Sequence, residues 1–192
     1  MSTPEYKTGV IHGRFQVLHN DHLKYIMAGK ALCSLLVIGI TNPDPFLSKR
    51  ENADPDRSNP LANPLTYYER YQLINAALEE AGLDLHQFSV VPFPVNFPER
   101  YRYYVPMDAL FLLTIYDEWG KQKLDYFKKQ GLKTHVLREV APEKKGISAS
   151  EVRELMMDNK PWEHLVPHSV SVLLKEWHIA GRLREIKERL RL

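Results

Sequence analysis

Two histidines three residues apart, His19 and His22, carry the first chemistry in this chain. They stand in the run Gly13-Arg14-Phe15-Gln16-Val17-Leu18-His19-Asn20-Asp21-His22, just after the short apolar stretch from Gly9 to His12. At a helix start, residues spaced by three project to the same side. The first N–H groups of a helix lack intrahelical partners and its dipole is positive there, so anions are attracted. Imidazole N–H donors can hold phosphate oxygens and meet the charge that grows during phosphoryl or nucleotidyl transfer. Arg14 adds a cation, and Gly13 lets backbone approach a ligand closely. Zinc is the other use of paired histidines, but it needs three or four ligands. Only Asp21 is at hand to add to the pair, since Cys33 lies in the apolar run Ala31–Ile40. By spacing alone, a phosphate site and a plain surface helix cap are equally good readings.

The second cluster is Gly146-Ile147-Ser148-Ala149-Ser150-Glu151-Val152-Arg153, preceded by Lys144 and Lys145. Ser148 followed three residues later by Glu151 is a capping box, and an ordinary helix start accounts for it. The same residues can also bind phosphate, with the Ser148 hydroxyl and first N–H groups as donors and Arg153 as cation one turn in.

The elements that must position these residues follow from the apolar pattern. Short apolar runs at Thr8–His12, Leu35–Thr41, Phe88–Phe93, Ala109–Ile115 and Thr134–Leu137 read as strands. Helical patterns lie between most of them. One runs from Asp21 to Ala31. A second opens at the Thr66/Glu69 capping box and stops at Gly82, and a third spans Asp117–Gln130. Strands alternating with helices predict a parallel sheet covered on both faces, with ligands bound at the carboxyl ends of the strands near the switch point. The His19/His22 turn follows the first strand and belongs there. Residues 42–64 break the alternation with prolines at 43, 45, 55, 60 and 64. A loop of that length leaving a strand's carboxyl end hangs over the site. Ile147–Asn159 reads as one helix and His168–Leu192 as another. Ile179, Leu183, Ile186 and Leu190 make an apolar stripe on the last one, with Arg and Lys between as a solvated face.

A chain of 192 residues with 44% hydrophobic content has enough apolar material for one cored domain. Its formal charge of +2 gives no argument for a nucleic-acid partner. One cysteine excludes a disulfide framework and favours a reducing compartment. No run reaches the roughly 18 apolar residues of a membrane span, and the N-terminus lacks a signal-peptide core. The expectation is a cytoplasmic protein without a membrane partner; a homo-oligomer stays open.

Together the two clusters resemble the nucleotidyltransferase superfamily, built on an H-x-x-H turn and a late I-S-x-[ST]-x-x-R helix. The likeness is greatest to nicotinamide-mononucleotide adenylyltransferases of archaeal type, whose first turn reads G-R-[FM]-Q-P-F-H-x-G-H. Their N-P-[FL]-T-x-x-E-R is matched by Asn63-Pro64-Leu65-Thr66-Tyr67-Tyr68-Glu69-Arg70, and their W-x-x-L-[VL]-P-x-S-V by Trp162 to Val170. The matches cover about 1–41, 63–95 and 108–180. The resemblance implies an α/β fold: a Rossmann-like parallel five-stranded sheet with helices on both faces and a C-terminal helical extension. It implies a nucleotidyltransferase domain over 1–166 and a C-terminal helix over 167–192; the 42–64 insertion departs from the family and reads either as a lid that closes on the triphosphate or as a solvated loop. It further implies transfer of AMP from ATP to a phosphate-bearing acceptor, nicotinamide mononucleotide or a related nucleotide, with Mg²⁺ on the triphosphate and pyrophosphate released. In those roles His19, His22 and Arg153 are catalytic. Gly13, Arg14, Phe15, Gln16 and Ser148 hold the triphosphate, joined by Lys49 and Arg50 of the insertion, which also carries Arg57.

The departures fall mainly on the acceptor side. Val17 and Leu18 replace Pro and Phe, and Asp21 replaces Gly in an unexpected place for an acid. Where the family has D-I-x-x-N-x-x-W-V, this chain has Asn96-Phe97-Pro98-Glu99-Arg100-Tyr101-Arg102-Tyr103-Tyr104. The S-x-N-P turn is replaced by Tyr116-Asp117-Glu118-Trp119. Tyr101, Arg102, Tyr104 and Trp119 are candidates to stack and hold an acceptor; a packed loop with buried tyrosines is the competing reading. A cytidylyltransferase acting on a small phosphate or phosphonate is the close rival, and a non-catalytic nucleotide sensor the rival from another class. Gly13–Gln16 favours the adenylyl branch.

Overall fold

A computed structural model describes residues 4–44, 59–140 and 146–190; the Trp119 side chain is outside that description. Five strands, β1 (Tyr6–Gly13), β2 (Cys33–Thr41), β3 (Phe88–Phe93), β4 (Leu110–Ile115) and β5 (Lys133–Glu139), form one sheet in the order β3-β2-β1-β4-β5. All neighbours are parallel. The chain walks outward from β1 to β3, returns to β4 on the other side of β1, and ends at β5. Right-handed crossovers in opposite directions put helices on opposite faces. The α/β expectation holds, and the switch point lies between β1 and β4.

Strand alternation divides the core. Ile11, Leu36, Ile38, Ile40 and Leu112 face one side and pack with Ile26 of α1 (Asn20–Leu32) and Leu73 and Leu78 of α2 (Tyr67–Glu80). Val10, Val37, Phe111 and Leu113 face the other, against Phe127 of α3 (Glu118–Lys129) and Tyr101 of the 3-10 turn Pro98–Tyr103. The sheet is buried on both faces, so its central strands read as continuous apolar runs.

The tail departs from expectation. His168–Leu192 is not one helix. After α4 (Ala149–Met157) come α5 (His168–Glu176) and α6 (Ile179–Arg189), separated at His178, whose φ of 52° lies in the left-handed region. The break lets Val170 and Leu174 of α5 and Ile179 and Leu183 of α6 all enter the first core. A straight helix could not bury both sets. The expected solvated face also fails at Arg182. Its guanidinium pairs with both Glu69 oxygens at 2.7 and 2.9 Å and donates to the Pro64 carbonyl at 3.1 Å. Thr66 and Glu69 do close the capping box of α2, so Arg182 ties α6 to the start of that helix.

Candidate active site

A cavity of about 330 Å³ opens where β1 and β4 end. Its walls are the turn after β1, the start of α3 and the entry to α4. Gly13, Arg14, Phe15, Gln16, His19, His22, Ser148 and Arg153 all line it, so the fold brings the two sequence clusters together.

His19 is the N-cap of α1. Its Nδ1 accepts from the His22 N–H, and His22 Nδ1 accepts from the His19 N–H, both at 3.4 Å. The rings stack with centroids 3.6 Å apart. The paired histidines are therefore a helix cap as well as a candidate phosphate site; the two readings of the spacing are compatible. With Nδ1 accepting in both rings, each neutral imidazole carries its proton on Nε2. Burial lowers the His19 pKa to about 4, against a small opposing pull from Asp21. Burial also pushes His22 well below the usual imidazole range, with His19 and Arg14 adding to the effect and a hydrogen bond with the Val17 backbone opposing it. Both rings are neutral at pH 7.

Gly13 is required by its neighbour. A Cβ there would stand 2.8 Å from the Phe15 ring. Phe15, at φ 52°, folds its buried ring back over Gly13 and against the edge of His22. The Gln16 side-chain amide donates to the Leu65 carbonyl at 2.8 Å and accepts from the Leu65 N–H at 2.9 Å. With one donor and one acceptor position of the amide engaged by Leu65, Gln16 fixes the turn while also lining the cavity.

Across the cavity, Ser148 caps α4 by accepting from the Glu151 N–H at 3.1 Å. Arg153 donates to the Gln16 carbonyl and to the Ser150 hydroxyl, the latter at 3.0 Å. Burial and then Arg14 lower its pKa to about 10, which leaves it cationic. Arg14 and Arg153 both line the cavity within electrostatic reach of each other, an arrangement that favours an anion there. Asp21, out of place against the family pattern, has a structural task. Its Oδ2 accepts from the Ile147 N–H at 2.9 Å and its Oδ1 from Lys24 at 2.8 Å. Burial would raise its pKa, but the Lys24 and Ile147 hydrogen bonds outweigh that and lower it. A Cβ at Gly146 would run into this carboxylate. Asp21 thus docks the α4 entry turn onto α1, and Gly146 makes the approach fit.

Arg70 was legible only as part of a motif. Buried at 2% exposure, it donates to the carbonyls of Arg14, Thr41, Asn42 and Thr66. One side chain fastens the β1 turn, the end of β2 and the start of α2. His12, Tyr25, Thr114, Tyr116 and Lys123 also line the cavity, and sequence reasoning missed them. His12 had a signal: a polar residue closing an apolar strand.

The candidate acceptor residues fare differently. Tyr101 is fully buried, stacks near Phe93 with centroids 4.6 Å apart, and donates its hydroxyl to the Val95 carbonyl. It is a core residue, which corrects the expectation that it faces a substrate. Arg102 is exposed and Tyr104 packs on the second core; neither lines the cavity. Trp119 sits in the first turn of α3. Lys49, Arg50 and Arg57, with most of the expected lid, lie outside the described residues. Among the described residues no three His, Cys, Asp or Glu side chains converge as a metal site, and no helix is long and apolar enough to cross a membrane.

Comparisons with known proteins bear on this geometry. A family model described as cytidylyltransferase-like matches residues 10–155. A phosphonoformate cytidylyltransferase of Streptomyces viridochromogenes is 48% identical over 92% of this chain and 95% of its own length. A nicotinamide-nucleotide adenylyltransferase of Thermococcus onnurineus is 29% identical over 96% of this chain and 90% of its own. Among solved structures, a bifunctional NMN adenylyltransferase/ADP ribose pyrophosphatase from Francisella tularensis superposes with a TM-score of 0.62 at 15% identity, over 94% of this chain. The chain spans about half the length, 53%, of that bifunctional protein, and the likeness speaks for the fold. Both the adenylyl reading and its cytidylyl alternative have relatives that match nearly the whole chain. The cytidylyl alternative has the nearer relative of the two, by 48% identity against 29%.

Proposed function

The chain belongs to the cytidylyltransferase-like family of nucleotidyltransferases, and from that premise we propose that it moves CMP from CTP to a small phosphonate or phosphate and releases pyrophosphate. The observation that carries this reading is the 48% identity, over nearly the full length of both chains, with a phosphonoformate cytidylyltransferase. The shape of the cavity supports it. At the α3 side its floor is His12, whose ring sits 5.5 Å from that of Phe93 and 5.2 Å from that of Phe127, centroid to centroid. His12, backed by the buried Phe93 and Phe127 rings, closes that side, which suits a compact acceptor better than a nucleotide.

In the proposed reaction an acceptor oxyanion attacks the α-phosphorus in line. The new P–O bond forms as the bond to the bridging oxygen breaks, and pyrophosphate leaves with that electron pair. An ionised acceptor has no proton to lose, and no covalent enzyme intermediate is needed. Catalysis is then positioning and charge neutralisation. His19 and His22 donate to the α- and β-phosphates, while Arg14, Ser148 and Arg153 hold the outer phosphates and Gly13 allows close backbone approach. Asp21 and Asp117 are engaged with the Ile147 and Gly120 N–H groups, and no three His, Cys, Asp or Glu side chains converge among the described residues. Mg²⁺ belongs in this scheme as part of the nucleotide substrate, where it neutralises phosphate charge.

The test is pyrophosphate release from CTP and ATP, each with phosphonoformate, phosphonoacetate or nicotinamide mononucleotide. Release with CTP and a phosphonate is the expected result. Release only with ATP and nicotinamide mononucleotide restores the adenylyl reading, and tight triphosphate binding without release from any pair supports the sensor.

A further inference from the structure

The cavity has two halves, and the proposed mechanism uses only one. Arg14, His19, His22, Ser148 and Arg153 surround the half beside α1 and α4. The half beside α3 is lined by His12, Thr114, Asp117, Gly120 and Lys123, with one Asp117 carboxylate oxygen taken up by the Gly120 N–H. His12 follows Val10 by two along β1, so it shares the α3 face of the sheet and tops the second core. Its exposure is only 7%, yet Nδ1 and Nε2 both lack a hydrogen-bond partner. Leaving such buried polar atoms unpaired is unfavourable, and nothing in the packing around Phe93 and Phe127 asks for an imidazole there. Lys123 lies half-buried on the adjacent turn of α3 and acts electrostatically on the same ring.

We propose that His12 and Lys123 form the anion subsite for the non-reacting end of the acceptor. They would hold a carboxylate or second acidic group one or two bonds from the phosphonate that attacks. The His12 ring N–H donates to this group and the Lys123 ammonium balances its charge. The phosphonate is thereby directed across the β1/β4 switch point toward the α-phosphate. The subsite selects compact acceptors with two acidic groups and disfavours mono-acids of similar size. This assignment rests on the phosphonate reading of the function and names the residues that read the acceptor.

Two variants test it, His12→Leu and Lys123→Met, because the first alone could disturb the core. Phosphonoformate is titrated calorimetrically into wild type and variants saturated with the non-transferable α,β-methylene analogue of CTP. The expected result is at least a tenfold loss of phosphonoformate affinity in both variants, with affinity for the CTP analogue within about twofold of wild type. Methylphosphonate, which lacks the second acid, should bind wild type and variants alike. Unchanged phosphonoformate affinity in the variants, or no binding to wild type, overturns the subsite. Turnover of wild type with CTP and a phosphonate is measured separately. Its absence rejects the parent reading, whereas a subsite failure shows only in the titrations.

Discussion

At the residue scale the account turns on His19. The ring caps α1 and stacks on His22, and in the proposed mechanism it also donates to a phosphate. His19→Ala removes the donor closest to the developing charge, and a lost donor of this kind slows the chemical step by about 10²–10³-fold. Turnover should fall by that factor while the circular dichroism spectrum stays close to wild type and the melting temperature drops only by the equivalent of about 1 kcal/mol for the lost cap. A fully active variant would contradict the mechanism. The same ring shapes acid stability. Its pKa falls from 6.5 to about 4 on folding, so the unfolded chain takes up the proton first. Stability is therefore full above pH 6.5 and declines as the pH drops toward 4, by on the order of 3 kcal/mol from this group. Urea midpoints measured across that window should fall less steeply in His19→Asn than in wild type. Gln16 makes a contrasting case. It sits inside the motif that suggests ligand binding, but its amide serves Leu65. Gln16→Ala strands the Leu65 N–H and carbonyl and should cost about 1–3 kcal/mol of stability, read as a lower melting temperature.

At the element scale the site is made by docking one helix entry onto another. Asp21 carries that contact through the Ile147 N–H. In Asp21→Ala the turn at Gly146–Ser148 loses its anchor, and the Ser148 and Arg153 side of the site can drift. A misplacement on the order of 1 Å costs about 10²-fold in a positioned reaction. The KM for the triphosphate should therefore rise and kcat fall. The melting temperature should drop only by the equivalent of about 1–2 kcal/mol. A pure stability loss with unchanged kinetics would deny Asp21 this positioning task. The elements themselves were largely legible. Five apolar runs gave five strands, because a sheet buried on both faces writes itself as unbroken hydrophobic sequence. Thr66 and Glu69 announced a helix start that the structure has. His168–Leu192 misled because its apolar spacing stays helical across His178. Nothing local marks a left-handed residue that only tertiary packing rewards. Arg182 looked solvated for the same reason, since its partner Glu69 is 113 residues away in sequence.

At the scale of the whole molecule the chain divides its labour across one strand. β1 ends with His12 facing α3 and Gly13 entering the turn that faces α1. The half proposed to hold the triphosphate was readable from motifs, since phosphate recognition reuses short backbone and side-chain patterns near helix starts. The acceptor half was not, because it depends on which side chains of separate elements converge. Tyr101, in the aromatic segment that invited a stacking role, is instead part of the second core, and His12 was hidden at the end of an apolar run. A purified chain incubated with CTP, Mg²⁺ and phosphonoformate, followed by ³¹P nuclear magnetic resonance, tests the central claim most directly. The account predicts pyrophosphate together with a new pair of coupled phosphorus signals from a CMP–phosphonate anhydride. Unchanged CTP and phosphonoformate, alongside conversion of ATP and nicotinamide mononucleotide to a dinucleotide under the same conditions, would contradict it.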